Sequence, residues 1–151
     1  MPPRRRALRA ALVPALLAAC SSSTAGGGRE ELALIRFGEQ TARVEAPDAA
    51  PLGAVVPVTV VTFGGGCVRE AARAEVTPLP QPNGGAVSIR LFNRNTGGDV
   101  CPDDLRFIEH RVAVPVAVAG TLTLRIEGAN RGAETGWQTV PWVVTRTVVV
   151  R

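Results

Sequence analysis

From residue 30 onward, apolar and polar positions alternate in short runs separated by glycine and proline. The clearest run is Gly120 to Gly128, with Leu122, Leu124 and Ile126 on one side and Thr121, Thr123, Arg125 and Glu127 on the other. Successive strand side chains point to opposite faces, so this pattern predicts a half-buried strand. Ala86 to Asn93 repeats it, with Val87, Ile89 and Leu91 inward against Ser88 and Arg90. Leu105 to Val114 is a further strand, broken off by Pro115. Gly53 to Phe63 and Trp142 to Val150 are valine-rich, which predicts burial on much of both faces. Glu31 to Phe37, continued by Thr41 to Glu45, supplies the first strand.

One segment suits either state. Cys67 to Thr77 contains Arg-Glu-Ala-Ala-Arg-Ala-Glu, a good helix former, yet it also alternates. Val68, Ala72, Ala74 and Val76 fall on one side, with Arg69, Arg73, Glu75 and Thr77 on the other. Bounded by Gly64-Gly65-Gly66 and Pro78, it fits a strand better than a helix. About seven short strands, with turn signals every 8 to 15 residues or so, predict an all-β, two-sheet β-sandwich. The run Ala119-Gly120-Thr121-Leu122-Thr123-Leu124, followed by a valine-threonine terminal strand, resembles bacterial extracellular immunoglobulin-like modules. The resemblance spans about 35 residues and implies an immunoglobulin-like fold without implying a function.

The N-terminus reads differently. Arg4, Arg5, Arg6 and Arg9 precede a short apolar stretch, Ala10 to Leu17, that ends in Leu17-Ala18-Ala19-Cys20. That stretch is too short to span a bilayer, which takes about 20 residues of helix, and it has the layout of an export signal. Leu17-Ala18-Ala19-Cys20 resembles the lipobox of bacterial lipoproteins. The resemblance implies cleavage before Cys20 and lipid attachment to its thiol. It divides the chain into a signal peptide (1–19), a lipidated linker (20–29) and an immunoglobulin-like domain (30–151). Ser21 stands where an aspartate usually marks inner-membrane retention, so the same analogy favours the outer membrane, on its periplasmic or surface face. Ser21 to Gly28 has the composition of a flexible linker and reaches about 30 Å at full extension.

Charge narrows the partners. The formal charge is +4, but the four arginines of the signal supply all of it. From Cys20 onward 13 arginines balance 13 acidic residues, which removes the electrostatic reason to expect nucleic-acid binding. Export also bears on Cys67 and Cys101, since an oxidising compartment favours a disulfide. If strands run alternately up and down, both cysteines fall at one pole, and closing that loop would stabilise by about 4 kcal/mol. A metal or redox pair is the rival reading. Structural zinc wants four ligands, whereas this chain offers two thiols 34 apart and one histidine, with no Cys-x-x-Cys.

Candidate chemistry is sparse. His110 would need a nucleophile and an orienting carboxylate, and beyond the linker only Ser88, with Asp103, is on offer. No Gly-x-Ser-x-Gly surrounds Ser88. Gly64-Gly65-Gly66 lacks the lysine of a phosphate loop and suits a tight turn. The polar loop Asn93 to Asp104 shares its pole with Gly64 to Gly66 and Ala129 to Gly136, so Arg94, Asp99, Asp103, Asp104, Arg131 and Glu134 are expected to gather around the disulfide. Calcium on Asp99, Asp103 and Asp104 would lack the alternating oxygen pattern of a dedicated loop. Trp137 and Trp142 fall on opposite faces of a continuous strand, which places at least one in the core. The expectation is a lipid-anchored envelope protein, non-catalytic and without a cofactor, whose pole binds an envelope protein partner. The alternatives are an envelope enzyme or metal-dependent protein using His110 and the Asp99 to Asp104 loop, and a carbohydrate-binding module.

Overall fold

The computed structural model describes residues 28–80, 84–97 and 100–151. Cys20 and Asp99 lie outside them. Among the described residues the strands are β1 (Arg29–Leu32), β2 (Leu34–Phe37), β3 (Gln40–Thr41), β4 (Arg43–Glu45), β5 (Ala49–Ala50), β6 (Val55–Gly65), β7 (Val68–Leu79), β8 (Gly84–Asn95), β9 (Leu105–Pro115), β10 (Gly120–Arg131) and β11 (Val140–Val150). One short 3-10 turn, Ala133–Thr135, interrupts the β10–β11 connection.

The period-two pattern is realised as burial. Val56, Val58 and Val60 of β6, Ile89 and Leu91 of β8, Val114 of β9 and Leu124 and Ile126 of β10 are almost fully enclosed. Each such side chain contributes roughly 1.5–3 kcal/mol relative to exposure. Together with Ile35 and Val148 they form one core.

The long strands alternate in direction, as expected, but their pairing is mixed. β6 pairs antiparallel with β9, and β7 with β8. β8 and β10 both run toward the Cys67 pole and lie side by side, so their pairing is parallel. Hydrogen bonding continues through β2, which touches both β10 and β6, and closes a ring β6–β7–β8–β10–β2. The all-β class therefore holds, within one continuous sheet whose closure runs through β2.

The expected first strand is two pieces. β1 pairs with β8 and β2 with β10, the two filling the gap where β8 and β10 splay. Ala33 sits at the fork: its N–H donates to Leu91 O at 2.8 Å, and its carbonyl accepts the Ala129 N–H at 2.9 Å. Gly128 lets this fork close, because a Cβ there would lie 2.6 Å from Ala33 O and 2.7 Å from Ile35 Cγ2.

Other expectations need adjustment. Residues 67–77 are a strand, since ladder pairing along β8 overrides the local helix propensity. Two register shifts interrupt β7, however, so the face that carries Val68 continues through Ala71 instead of Ala72, and then through Ala74 and Val76 opposite the buried Leu91 and Ile89. β11 is buried on one face only: Pro141, Val143, Thr145, Thr147 and Val149 face outward and are exposed. The tryptophans do not share a strand. Trp142 opens β11, half-buried against the core beneath the Arg36 guanidinium 4.7 Å away, whereas Trp137 lies in the preceding turn.

Candidate functional site

Where β6 turns into β7, the three glycines have separate roles. Gly66 has φ +60°, the left-handed value glycine tolerates in a tight hairpin. Gly64 and Gly65 allow close approach: Cβ atoms there would meet Ile108 Cδ1 at 2.4 Å and Asp104 O at 2.2 Å. Beside this turn Cys67 is bonded to Cys101, with Cα atoms 5.0 Å apart. Arg69 ties the same two segments, its Nε donating to Gly66 O at 2.9 Å and its Nη2 facing both Asp104 oxygens at 3.3–3.4 Å. Arg106 Nε also donates to Asp104, at 2.8 Å, and with Arg69 holds that carboxyl below its usual range. Asp104 is thereby a structural clasp for the loop that carries Cys101.

A cleft of about 510 Å³ opens at this pole. Phe37 and Phe63 supply its aromatic wall, Gly64–Gly66 and Cys101 its floor beside the turn, and Glu31, Asp103, Asp104 and Arg131 its charged side chains. Of the residues expected here, Asp103, Asp104 and Arg131 are brought together. Arg94 is not: it stands on the strand face opposite Asn93, registered between Glu30 of β1 and Glu70 of β7. Glu134 instead accepts from Asn130 Nδ2 at 3.0 Å and faces Arg36 at 3.5 Å. Glu134's own N–H, and after it the Asn130 hydrogen bond, keep that carboxyl below its usual range.

The alternation pattern singles out Trp137 but does not join it to the phenylalanines. Phe107, Phe63, Phe37 and Trp137 form a row across β9, β6, β2 and the β10–β11 turn, with successive centroids 5.9, 6.4 and 6.1 Å apart. Each step is a tilted pair within the range where aromatic rings attract. Phe63 is buried inside the row, while its ends are open, Phe107 at 66% and Trp137 at 54% exposure. Trp137 also has φ +62°, rare for a bulky residue. Its N–H bonded to Gly132 O at 2.8 Å and its carbonyl accepting Arg131 Nε at 3.2 Å hold it there. The signal was present in the cross-strand register, because Phe63 lies directly opposite Phe107.

Behind the cleft, three polar side chains are almost wholly enclosed: Thr62, Asn93 and His110. Asn93 Nδ2 donates to Phe63 O at 3.2 Å, which fixes the amide orientation and leaves Oδ1 to accept. His110 Nε2 is 2.8 Å from that oxygen and is therefore its protonated nitrogen. Burial pushes the His110 pKa below its usual value, so the ring is neutral near pH 7. Thr62 Oγ1 donates to Ile108 O at 3.3 Å. The nucleophile weighed from sequence is not in this cluster, since Ser88 lies five residues from Asn93 along β8, a rise of roughly 16 Å. Among the described residues no three His, Cys, Asp or Glu side chains gather as a metal-binding group.

Compared with known proteins, the chain matches no family model, no curated protein and no solved structure.

Proposed function

We propose that this protein is a lipid-anchored, non-catalytic binding module of the bacterial envelope, with the cleft at the Cys67–Cys101 pole as its binding site. The observation that carries the reading is that cleft: aromatic side chains and charged groups around one opening, on a disulfide-braced end of a rigid β framework. We attach to the fold the immunoglobulin-like sandwich reading, with β9–β6–β4 facing β7–β8–β10–β11, and β2 as the strand that crosses between them. The partner is an envelope protein, and the anchor is lipid on Cys20, in the outer membrane by the Ser21 analogy. His110 suits a structural role better than a catalytic one, because its Nε2–H is committed to Asn93.

Photo-crosslinking in the protein's own cells tests this. A crosslinkable residue at Asp103 or Arg131 is expected to capture a reproducible partner, identified by mass spectrometry, while one at Val118 on the far pole is not. Recovery of the protein alone from both poles, or equal capture at each, would sink the reading. Carbohydrate recognition has one observation in its favour, the exposed Trp137 beside the cleft. It predicts Trp137 fluorescence quenching by cell-wall sugars, and an unchanged spectrum removes it.

A further inference from the structure

The point where the tether leaves the domain limits how the domain can sit on a membrane. Gly28 lies against Asn95, whose carbonyl would be 2.5 Å from a Cβ at position 28. One residue further on, Thr96 N–H donates to Cys67 O at 2.8 Å. The chain to Cys20 therefore departs from the pole that carries the disulfide, the cleft and the aromatic row. The far pole lies at the other end of strands such as β6, whose 11 residues rise about 36 Å. A Gly/Ser-rich stretch of the length of 20–28 averages roughly 17 Å as a coil and about 30 Å at full extension. The far pole would thus fall short of the anchoring bilayer even with the tether drawn taut along the domain's side. The tether pole reaches it with no extension at all.

That pole also presents the surface a bilayer interface accepts. Val100 is 84% exposed beside Cys101, and Leu105 is 44% exposed at the start of β9. Phe107 and Trp137 end the aromatic row at the same pole. Among the described residues, the far pole exposes the aliphatic Leu52, Val55 and Val118 and no aromatic. Aromatic rings with one polar edge favour the headgroup boundary, tryptophan above all. A short apolar patch there adds a second attachment beside the lipid, at high effective concentration.

We infer that Val100, Leu105, Phe107 and Trp137 seat the domain on the bilayer that carries its lipid, with the cleft opening toward the headgroup layer. The inference rests on lipidation of Cys20. It assigns to the row a ligand, the membrane interface, and limits the cleft's partner to something presented at that surface.

The test uses the full chain, isolated from the membranes of a bacterium that processes lipoproteins, with its N-terminal peptide weighed by mass spectrometry. It is reconstituted in phosphatidylethanolamine and phosphatidylglycerol vesicles containing lipid brominated near the headgroup end of the acyl chain. Trp142→Phe leaves Trp137 as the sole indole. Its emission should be quenched several-fold more than that of a tryptophan at the far pole, introduced as Val118→Trp with Trp137→Phe and Trp142→Phe. Phe107→Glu should reduce Trp137 quenching while the protein stays bound through its lipid. Lipid on Cys20 with Trp137 unquenched, or both poles quenched equally, overturns the orientation. Absence of lipid from Cys20 is a separate result: it removes the anchored reading, and the orientation with it.

Discussion

Asn93 holds three strands through one side chain. It donates to Phe63 O of β6 and accepts from His110 of β9, and its third close contact is Thr62 Oγ1, 3.4 Å from Nδ2. In an enclosed site each polar group left unmatched is destabilising by about 1–3 kcal/mol, more than the same bond contributes when made. Asn93→Ala should therefore lower stability by about 3 kcal/mol, read as a reduced urea midpoint at unchanged slope. Replacing Asn93 and His110 together by leucine should recover much of that loss, and equal additive losses would show that the pair is not coupled. The same network sets a pH dependence. His110 is held neutral, with its folded pKa depressed, so the unfolded chain takes up the proton at a higher pH. Its contribution is complete above about pH 6.5 and is lost as pH falls through the folded value. Asp104 and Glu75, both held low by arginine partners, lose theirs only below the ordinary carboxylate range near about pH 4. Stability should thus decline as pH falls below about 6.5 in the native chain, and His110→Gln should lack that decline. A parallel decline in the variant would assign the slope to another group.

The β1–β2 fork depends on one missing methyl group. A Cβ at Gly128 would press on Ala33 O and Ile35, and neither backbone oxygen nor packed isoleucine can move without opening the fork. Gly128→Ala should be destabilising by about 1–3 kcal/mol, with amide exchange faster at Ala33 and Ala129, whose bonds meet there. Unchanged exchange at those amides would place the strain elsewhere. The disulfide acts on another element, the 101–104 loop. Cys67→Ser with Cys101→Ser should lower stability by about 4 kcal/mol in the chain-entropy model, with Arg69 and Asp104 still clasping the loop. At this scale the long strands were legible in the sequence, because period-two alternation in β8, β9 and β10 is the direct imprint of one buried face. The break at Ala33 was not, since Glu31 to Phe37 reads as one run and only the splaying of β8 from β10 creates the fork. The bulges of β7 were equally silent, being properties of its register against β8. The disulfide was legible from the export reading together with strand direction. The aromatic row was not, because Phe37, Phe63, Phe107 and Trp137 are far apart in the chain and meet only through register.

At the scale of the whole molecule, the proposed processing would separate precursor and product by charge. The full chain carries +4 and an isoelectric point near 10.1. Cleavage before Cys20, as proposed, would remove Arg4, Arg5, Arg6 and Arg9 and leave 13 arginines against 13 acids. The folded part distributes those charges as local pairs. Arg73 bridges Glu30 and Glu75, Arg111 pairs with Glu109, and Arg146 pairs with Asp48, so each strand surface is close to neutral by itself. Exposed pairs of this kind add little stability, and their consequence is the absence of a one-signed field. Isoelectric focusing of the protein recovered from its own membranes should accordingly find it several pH units more acidic than the precursor, near neutrality. On the proposed lipoprotein reading, Cys20→Ala should accumulate as the basic form. A native protein that focuses with the precursor would mean that residues 1–19 are retained. The tether would then lengthen by those residues, and the far pole would come within reach of a membrane that holds the N-terminus.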